Sequence, residues 1–368
     1  MILSGISLRN FRSHKNATLK FSENLNYIVG GNGEGKTTVL EAAYYLCTTK
    51  SFNSKDSEAV NFDEQEFEIY GKFKDLTEDN IRIYFSLSDN RKHYFQNDKL
   101  ISRNSQIIGK YPVVILSPAD HQITQGSPSE RRKFIDSIIS QASSVYLETL
   151  LDYNKIIKQR SAVLARLKES YDKQTLFELD AWTEKLIENG IDLINYRRKF
   201  VDEFSGYIKE SYLKIVDQTE LPEIKYNSNI YGQGDDINNF RKLLAERKEE
   251  EIRRTTNLAG PHKDDYVFSI NGIDLKTYGS QGQHKTFQSS LRFAEFFYLK
   301  SLTGKKPIFL LDDVFGELDA YRAGKISKYL KQVGQAFITV TDFADFSFLS
   351  KEEKDLIIKI DNGNISYA

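Results

Sequence analysis

The pattern of apolar and polar positions changes along the first two thirds of the chain. Near the N-terminus, the apolar run Leu25–Val29 ends at two glycines, and residues 37–46 have a helical pattern, so a strand, a glycine turn and a helix are predicted. Between residues 66 and 116, apolar and polar residues alternate in Phe67–Tyr70 and Ile81–Phe85, which is typical of antiparallel strands, whereas Val113–Leu116 is a fully apolar run more like a buried strand. From residue 119 to 255, apolar residues recur every three or four positions among many charges, and this spacing predicts helices.

The last third of the chain returns to a mixture of strands and helices. Tyr266–Ile270 is followed by Asn271-Gly272, a dipeptide typical of tight hairpin turns. Two later apolar runs, Ile308–Leu311 and Ala336–Val340, alternate with helical patterns. This alternation predicts α/β organisation.

We therefore predict an α/β protein with one head formed by both ends of the chain, residues 1–118 and 256–368. The head should be an ABC-type P-loop ATPase fold, with a mixed sheet and an antiparallel β subdomain. It is interrupted by an inserted helical lobe at residues 119–255. Helices are predicted to begin at Ser117-Pro118 and Ser127-Pro128, because each places proline at the first helical position behind a capping serine.

Composition limits the functions that such a protein can have. The formal net charge of −1 does not by itself indicate nucleic acid or a membrane surface. Cys47 is the only cysteine and the five histidines lack ligand spacing, which excludes an intramolecular disulfide and argues against a transition-metal site. The sequence has no run of about 18 apolar residues and no signal-peptide pattern at its start. We expect no membrane partner and a cytoplasmic location.

Residues 30–37, GGNGEGKT, match the phosphate-binding loop G-x-x-x-x-G-K-[ST]. The glycines let backbone N–H groups surround an anion, and the helix that follows adds its positive end. Lys36 is expected to reach the terminal phosphates and the Thr37 hydroxyl to bind Mg²⁺. The loop lies between a predicted strand and a predicted helix, as the motif requires, so a chance glycine turn is the weaker alternative.

A pair of acids follows the apolar run Ile308–Leu311. A buried strand there would deliver two carboxylates to the edge of the sheet where phosphates bind. Asp312 is expected to hold Mg²⁺ directly or through water, and Asp313 to act as general base on the attacking water. The alternative is a solvated turn or a helix cap, which the phosphate loop in the same chain disfavours.

Ser280–Gln283 precedes the helical segment Phe287–Leu302. A hydroxyl, an amide and a glycine at a helix start can bind an anion through exposed N–H groups. An ordinary capped helix is the alternative. The position of this segment between the phosphate loop and the acid pair favours the anion site.

Along the chain the phosphate loop comes first, the Ser280–Gln283 segment follows after a large insertion, and the acid pair comes last. Three such elements in this order resemble ABC-type ATPases. A finer resemblance is carried by blocks at residues 8–14, 117–120, 126–136, 260–265, 280–283 and 310–319, which resemble the RecF family. The chain departs from that family's pattern at Lys263, Lys285 and Gly316, where Arg, Arg and Ser are usual. An Arg-to-Lys change keeps the charge but loses forked hydrogen bonding.

The resemblance implies that ATP and Mg²⁺ bind and that two protomers sandwich two ATP molecules. Ser280 and Gly282 of one protomer would face the phosphate loop of the other. The homodimer would clamp DNA at single-/double-strand junctions or gaps and, with RecO and RecR, aid recombinase loading. Slow hydrolysis would reset the dimer, so ATP acts as a conformational switch.

The motifs and the resemblance together predict the site residues. Lys36, Asp313, Ser280 and Thr341 are expected to be catalytic, Thr341 as a sensor of the γ-phosphate. Thr37 and Asp312 are expected to bind the metal. The expected nucleotide contacts are Arg12, Gly30, Gly31, Asn32, Gly33, Glu34, Gly35, Lys36, Thr37, Thr38, Ser280, Gln281, Gly282 and Gln283. For Arg12, a plain surface cation is the alternative.

Two assignments stay open on the sequence. Gln122 could act as the glutamine of a Q-loop or be an ordinary surface residue of a helix. DNA could be met by a basic cluster around Arg91–His93 or by Arg197–Lys199, although acids are abundant enough for each to be a solvated face.

Other classes of protein fit the chain less well. A transporter ATPase subunit should have a Leu-Ser-Gly-Gly-Gln signature, a clear Q-loop and a switch histidine, which this sequence lacks in that form. A structural SMC-like protein needs sustained heptads, and the insertion is too short and irregular for them. A nuclease should show a further acidic cluster with metal-ligand spacing after the head, and the sequence shows none there.

Overall fold

The computed structural model describes residues 1–216, 220–230, 236–342, 352–361 and 363–368. Within these ranges the strands are β1 (Ile2–Phe11), β2 (His14–Lys20), β3 (Leu25–Val29), β4 (Glu66–Lys74), β5 (Glu78–Ser86), β6 (Arg91–Gln96), β7 (Lys99–Leu100), β8 (Val113–Leu116), β9 (Pro222–Asn227), β10 (Asp265–Ile270), β11 (Ile273–Asp274), β12 (Ile308–Leu311), β13 (Ala336–Val340), β14 (Leu356–Asp361) and β15 (Asn364–Tyr367). The α-helices are α1 (Lys36–Thr48), α2 (His121–Gln125), α3 (Pro128–Ala142), α4 (Ser144–Glu169), α5 (Lys173–Ile215), α6 (Asp236–Arg254), α7 (Leu275–Tyr278), α8 (Gln281–Thr303) and α9 (Ala320–Leu330).

The chain divides into two compact units. The first comprises Met1–His121, Tyr207–Glu220 and Ser280–Ala368, and the second comprises Gln122–Gly206 and Leu221–Gly279. Tyr207–Glu220, which the sequence pattern assigned to the inserted lobe, therefore lies in the first unit. Residues 256–279, which the sequence pattern assigned to the head, lie in the second unit. The reason is strand pairing, because β10 pairs along its whole length with β9 in an antiparallel sheet completed by β11.

The first unit contains a six-stranded sheet in the order β15-β14-β3-β13-β12-β8. Every pairing is parallel except that of the edge strand β15 with β14. The strands β3, β8, β12 and β13 are buried along their whole length, as strands covered on both faces are. Their carboxyl ends lie at one edge of the sheet, where open α/β sheets bind ligands.

A second six-stranded sheet of the first unit is antiparallel, in the order β2-β1-β4-β5-β6-β7. Its strands β4 to β7 confirm the period-two pattern predicted after residue 66, whereas the apolar run Val113–Leu116 forms β8 of the parallel sheet. Helix α1 joins the two sheets, since its apolar residues belong to the same core cluster as residues of both. Leu46 packs so closely on β4 that a Cβ on Gly71 would lie 2.4 Å from the leucine Cδ1.

The second unit combines the small sheet with helices α3, α4 and α6 and with α5 up to Gly206, and buried ion pairs hold its helices together. Arg160 of α4 and Glu251 of α6 are 1% and 0% exposed, and their side chains are 2.7 Å apart. Asn257 and Thr183 accept further hydrogen bonds from the same guanidinium. Within the described ranges, no helix has both the length and the apolar composition needed to cross a lipid bilayer.

The structure corrects one proposed DNA-binding cluster. Arg197 is buried, pairs with Asp136 at 2.9 Å and donates to the Pro261 carbonyl at 2.7 Å. It is therefore a structural residue of the second unit and not a phosphate contact, whereas Lys199 of the same cluster is exposed.

The Arg160→Ala variant is expected to lose about 3–5 kcal/mol of unfolding free energy, because Glu251 would remain buried without its counter-charge. Urea unfolding followed by circular dichroism of the helices measures the loss. Arg166→Ala is the matched control, since Arg166 lies in α4 like Arg160 and pairs with Glu178 of α5. Both of its paired side chains are exposed, and such pairs contribute about 0–1 kcal/mol. Equal losses in the two variants would contradict the argument.

Candidate functional site

The phosphate loop lies between β3 and α1 and is shaped by its contact with the β1–β2 turn. Gly35 precedes α1 with φ 90°, in the left-handed region that favours glycine. A Cβ on Gly35 would lie 2.7 Å from the Ser13 Oγ and 2.6 Å from the His14 Nε2. Glycine is therefore favoured at this position, for conformational and for steric reasons.

Lys36 is the first residue of α1 and folds back over the loop. Its ammonium donates to the carbonyl oxygens of Gly30 at 2.7 Å and Gly31 at 2.8 Å. Burial lowers the pKa of Lys36 from its ordinary value, although the carboxylates of Asp313 and Asp312 act in the opposite direction. The charge is held where an anion in the loop would meet it.

Asp312 follows β12 and lies against the start of α1. Its Oδ1 accepts hydrogen bonds from the Thr37 hydroxyl at 2.8 Å and the Thr339 hydroxyl at 3.0 Å. The residue is 8% exposed, and burial raises the pKa of its carboxyl group while the two hydroxyl donors lower it. The phosphate loop and the first acid of the predicted pair are therefore in direct contact.

Asp313 has a different environment from its neighbour. It is exposed and has φ 50°, a conformation uncommon outside glycine, and its N–H donates to the Thr339 Oγ1 at 2.8 Å. Thr339 thus contacts both acids, and sequence reasoning did not select it. The signal was a hydroxyl in the otherwise apolar strand AFITV, since a buried hydroxyl needs a hydrogen-bond partner.

Thr341, the predicted γ-phosphate sensor, lies just after β13 and is exposed. Its role remains a prediction. Arg12 pairs with Glu41 of α1 at 2.8 Å and donates to the Ser54 Oγ at 2.5 Å. The guanidinium thus lies beside the helix that follows the loop, and its contact with a nucleotide remains a prediction. Gln122 is an exposed residue of α2.

Ser280 caps the N-terminus of α8. Its hydroxyl accepts from the Gln283 N–H at 3.2 Å, and the Gln283 side chain accepts from the Ser280 N–H at 3.0 Å. Gln283 also donates to Glu220 at 3.0 Å. The segment is therefore a capped helix start, yet a serine hydroxyl that accepts a capping bond can still donate its hydrogen to an anion. Both interpretations stated above remain compatible with this geometry.

A cavity of about 190 Å³ adjoins this helix start. A Cβ on Gly282 would lie 3.2 Å from a guanidinium nitrogen of Arg322, which pairs with Asp319 at the start of α9. The Gly282 backbone is thereby placed against a cation. The cavity is lined by Gln281, Gly282, Lys285, Leu318, Asp319 and Arg322.

The residues around Thr37 and Asp312 fit a divalent cation beside a phosphate group. A hydroxyl and a carboxylate 2.8 Å apart are the hard oxygen donors that Mg²⁺ prefers, and such sites often use only one or two protein ligands plus substrate phosphates. The cost of burying the Asp312 charge would be offset by a bound cation. In the part of the chain that the structure describes, no cluster of three or more His, Cys, Asp or Glu could hold a metal without such help.

Comparisons with known proteins identify the family. A family profile described as an AAA domain matches residues 6–259. The Chloroherpeton thalassium protein described as "DNA replication and repair protein RecF" is 40% identical over 358 residues, covering 94% of this chain and 96% of that protein. The chain belongs to the RecF family. A Salinibacter ruber RecF is 39% identical over 351 residues, covering 93% of this chain and 85% of that protein.

Solved structures agree with this assignment. The structure described as the recombination mediator protein RecF-ATP in the RecFOR pathway has a TM-score of 0.90 and 32% identity, covering 100% of this chain and 97% of that chain. A Pyrococcus furiosus Smc head has a TM-score of 0.57 and 15% identity, covering 100% of this chain and 95% of that chain. This similarity shows a shared fold alone. The predictions of RecF membership and of an ABC-type ATPase head with a helical lobe are confirmed.

A pair of glycine variants tests how the phosphate loop of this RecF-family chain is held. Gly35→Ala and Gly33→Ala both place alanine at a positive φ, 90° and 85°, at a cost of about 1–2 kcal/mol. Only the methyl group at position 35 would meet Ser13 and His14, because nothing lies within 4 Å of a Cβ on Gly33. Gly35→Ala should therefore lose about 1–3 kcal/mol more unfolding free energy than Gly33→Ala, and it should unfold at a lower urea concentration. Equal midpoints would show that the turn does not constrain the loop.

Proposed function

We propose that this RecF-family protein is an ATP-gated DNA-binding protein of DNA replication and recombinational repair. ATP drives its homodimerisation on single-/double-strand junctions or gapped DNA, and the dimer aids recombinase loading together with RecO and RecR in the cytoplasm. The proposal depends on one observation, the 2.8 Å hydrogen bond from Thr37 to Asp312 that brings the phosphate loop and the acid pair together. The relatives described as RecF, one of them in a structure described as RecF-ATP, support it.

In this proposal each residue of the loop has a separate task. The N–H groups of residues 30–37 surround the β- and γ-phosphates, and Lys36 exchanges its bonds to the loop carbonyls for bonds to phosphate oxygens. Thr37 and Asp312 would hold Mg²⁺, and the metal would neutralise charge that develops on the phosphates. Lys36 and the metal site would thus act on the same anion.

The proton of the attacking water is assigned to Asp313. Its exposed carboxylate can accept that proton, and its backbone is fixed by the hydrogen bond to Thr339. Asp312 is buried and engaged by two hydroxyl groups, so the two acids are suited to different tasks. Thr341 is kept as the proposed sensor of the γ-phosphate.

Homodimerisation follows from dividing one nucleotide site between two protomers. Ser280 and Gly282 at the start of α8 would contact the γ-phosphate held by the partner's loop, through the N–H groups of a helix N-terminus. A ligand shifts an equilibrium only by its difference in affinity for the two states. ATP contacts both protomers, so it favours the dimer, and loss of the γ-phosphate by slow hydrolysis removes that preference.

Lys36→Ala should abolish ATP-dependent dimerisation, because the phosphates lose the ammonium that holds them. Sedimentation of wild type and variant with ATP, ADP or no nucleotide, with and without a duplex that contains a single-stranded gap, measures the effect. The wild type should become a dimer only with ATP, and the gapped duplex should increase the dimer fraction. Lys50→Ala removes an exposed lysine after the same helix and should behave as wild type. Dimerisation of Lys36→Ala by ATP would refute the switch.

Asp313→Asn should bind ATP and dimerise but hydrolyse it about 10²-fold or more slowly, because an amide cannot accept the proton. Single-turnover hydrolysis and the lifetime of the dimer after removal of free ATP measure this. Asp312→Asn is the contrasting variant, and it should lose Mg²⁺-dependent ATP binding itself. Wild-type hydrolysis by Asp313→Asn would remove the residue from the proposed chemistry.

A further inference from the structure

Phe62 is an exposed aromatic residue in the first unit. Its side chain is 91% exposed, which leaves a large apolar ring in water at a cost in free energy. The ring lies in the connection between α1 and β4, outside every motif of the phosphate loop and the acid pair. The turn that contains Phe62, and the hydrogen bonds of that turn, hold the ring in this exposed position.

The backbone around Phe62 forms a tight turn. The Glu64 N–H donates to the Asn61 carbonyl at 3.2 Å, which closes four residues, and Asp63 at the third position has φ 67°. A positive φ at that position is the property of a type II turn. Phe62 is therefore the second residue of the turn, at its tip.

The turn is attached to the end of β1 by several hydrogen bonds. The Asn61 N–H donates to the Asn10 carbonyl at 2.8 Å, and the Asn10 side chain donates to the Glu64 carboxylate at 3.1 Å. The Asn61 side chain also donates to the Arg12 carbonyl. With its backbone fixed in this way, Phe62 loses little further entropy when a ligand covers its ring.

The segment that holds the turn also contacts the phosphate loop. Ser13 and His14 follow Arg12 directly, and they are the residues that a Cβ on Gly35 would meet. The His14 Nε2 lies 3.3 Å from the Gly35 carbonyl oxygen. The tip of the turn and the phosphate loop are thus fixed to the same five-residue segment, residues 10–14.

We propose that Phe62 stacks on the base of the nucleotide whose phosphates bind in the loop. The inference rests on the proposed function, since it needs a nucleotide in the loop. A nucleotide held by its phosphates extends its ribose and base out of the loop, and the flat base is the part of it that an exposed ring can cover. Stacking on an aromatic ring is tolerant of base identity, so Phe62 contributes affinity for the nucleoside without selecting adenine.

The test compares two ligands that differ by the nucleoside. Isothermal titration calorimetry measures the Kd of ADP and of inorganic pyrophosphate for wild type, Phe62→Ala and Phe62→Trp. ADP is used because the proposed function gives it no role in dimerisation. Phe62→Ala should weaken ADP by about tenfold and leave pyrophosphate unchanged, and Phe62→Trp should retain ADP affinity. Leu76→Ala is the matched control, because Leu76 is 100% exposed in the turn between β4 and β5.

The other outcomes separate this inference from the function on which it rests. Equal ADP affinity in Phe62→Ala and Leu76→Ala would overturn the stacking. So would equal losses for ADP and pyrophosphate, which would assign Phe62 to the shape of the loop. A defect confined to ATP-dependent dimerisation would instead place Phe62 in a contact between protomers and also overturn it. If the wild type binds neither ligand, the proposed function itself fails.

Discussion

The hydrogen bond between the Thr37 hydroxyl and the Asp312 carboxylate joins two segments that are 275 residues apart in the chain. It forms because β3 and β12 lie in one parallel sheet, separated by β13, so their carboxyl ends meet at one edge. Thr339 at the end of the intervening strand completes the contact from between them. The proposed metal site requires this arrangement, because one of its ligands, Thr37, comes from the loop and the other, Asp312, comes from the acid pair.

Sequence patterns could predict the parts of the site that are local. The phosphate loop at residues 30–37 has a spacing that carries its own geometry, and Asp312 follows a buried strand that its apolar run identifies. For Thr339 the sequence offers one signal, a hydroxyl in an apolar strand, but its partners Asp313 and Asp312 are 26 and 27 positions away. The position of Phe62 was not predictable, because its turn is held by hydrogen bonds from Asn61 to the distant end of β1. Arg197 was assigned to a surface because charge alone does not reveal burial, and its partner Asp136 is 61 positions distant.

The blocks that carry the family resemblance in the second unit have a structural explanation. Residues 126–136 and 260–265 meet there, where Arg131 forms two hydrogen bonds, at 2.7 and 2.9 Å, with Asp265. The Arg132 guanidinium donates to the carbonyl of Asp264 at 2.5 Å. The Arg131 side chain is 6% exposed, so removal of the Asp265 carboxylate would leave a buried cation without its counter-charge, which is costly. The two blocks therefore restrain each other's sequence, which accounts for a recognisable pattern outside the nucleotide site.

The end of β1 has a comparable constraint in the first unit. Asn10 and Arg12 both have positive φ, 52° and 56°, a conformation that costs free energy outside glycine and persists only when the surroundings fix it. Here the surroundings are the turn at residues 61–64 on one side and the phosphate loop on the other. The backbone must bend at both residues for one short segment to contact both. The phosphate loop is therefore held by the end of β1 as well as by its own glycines. The same strand end also determines the position of Phe62.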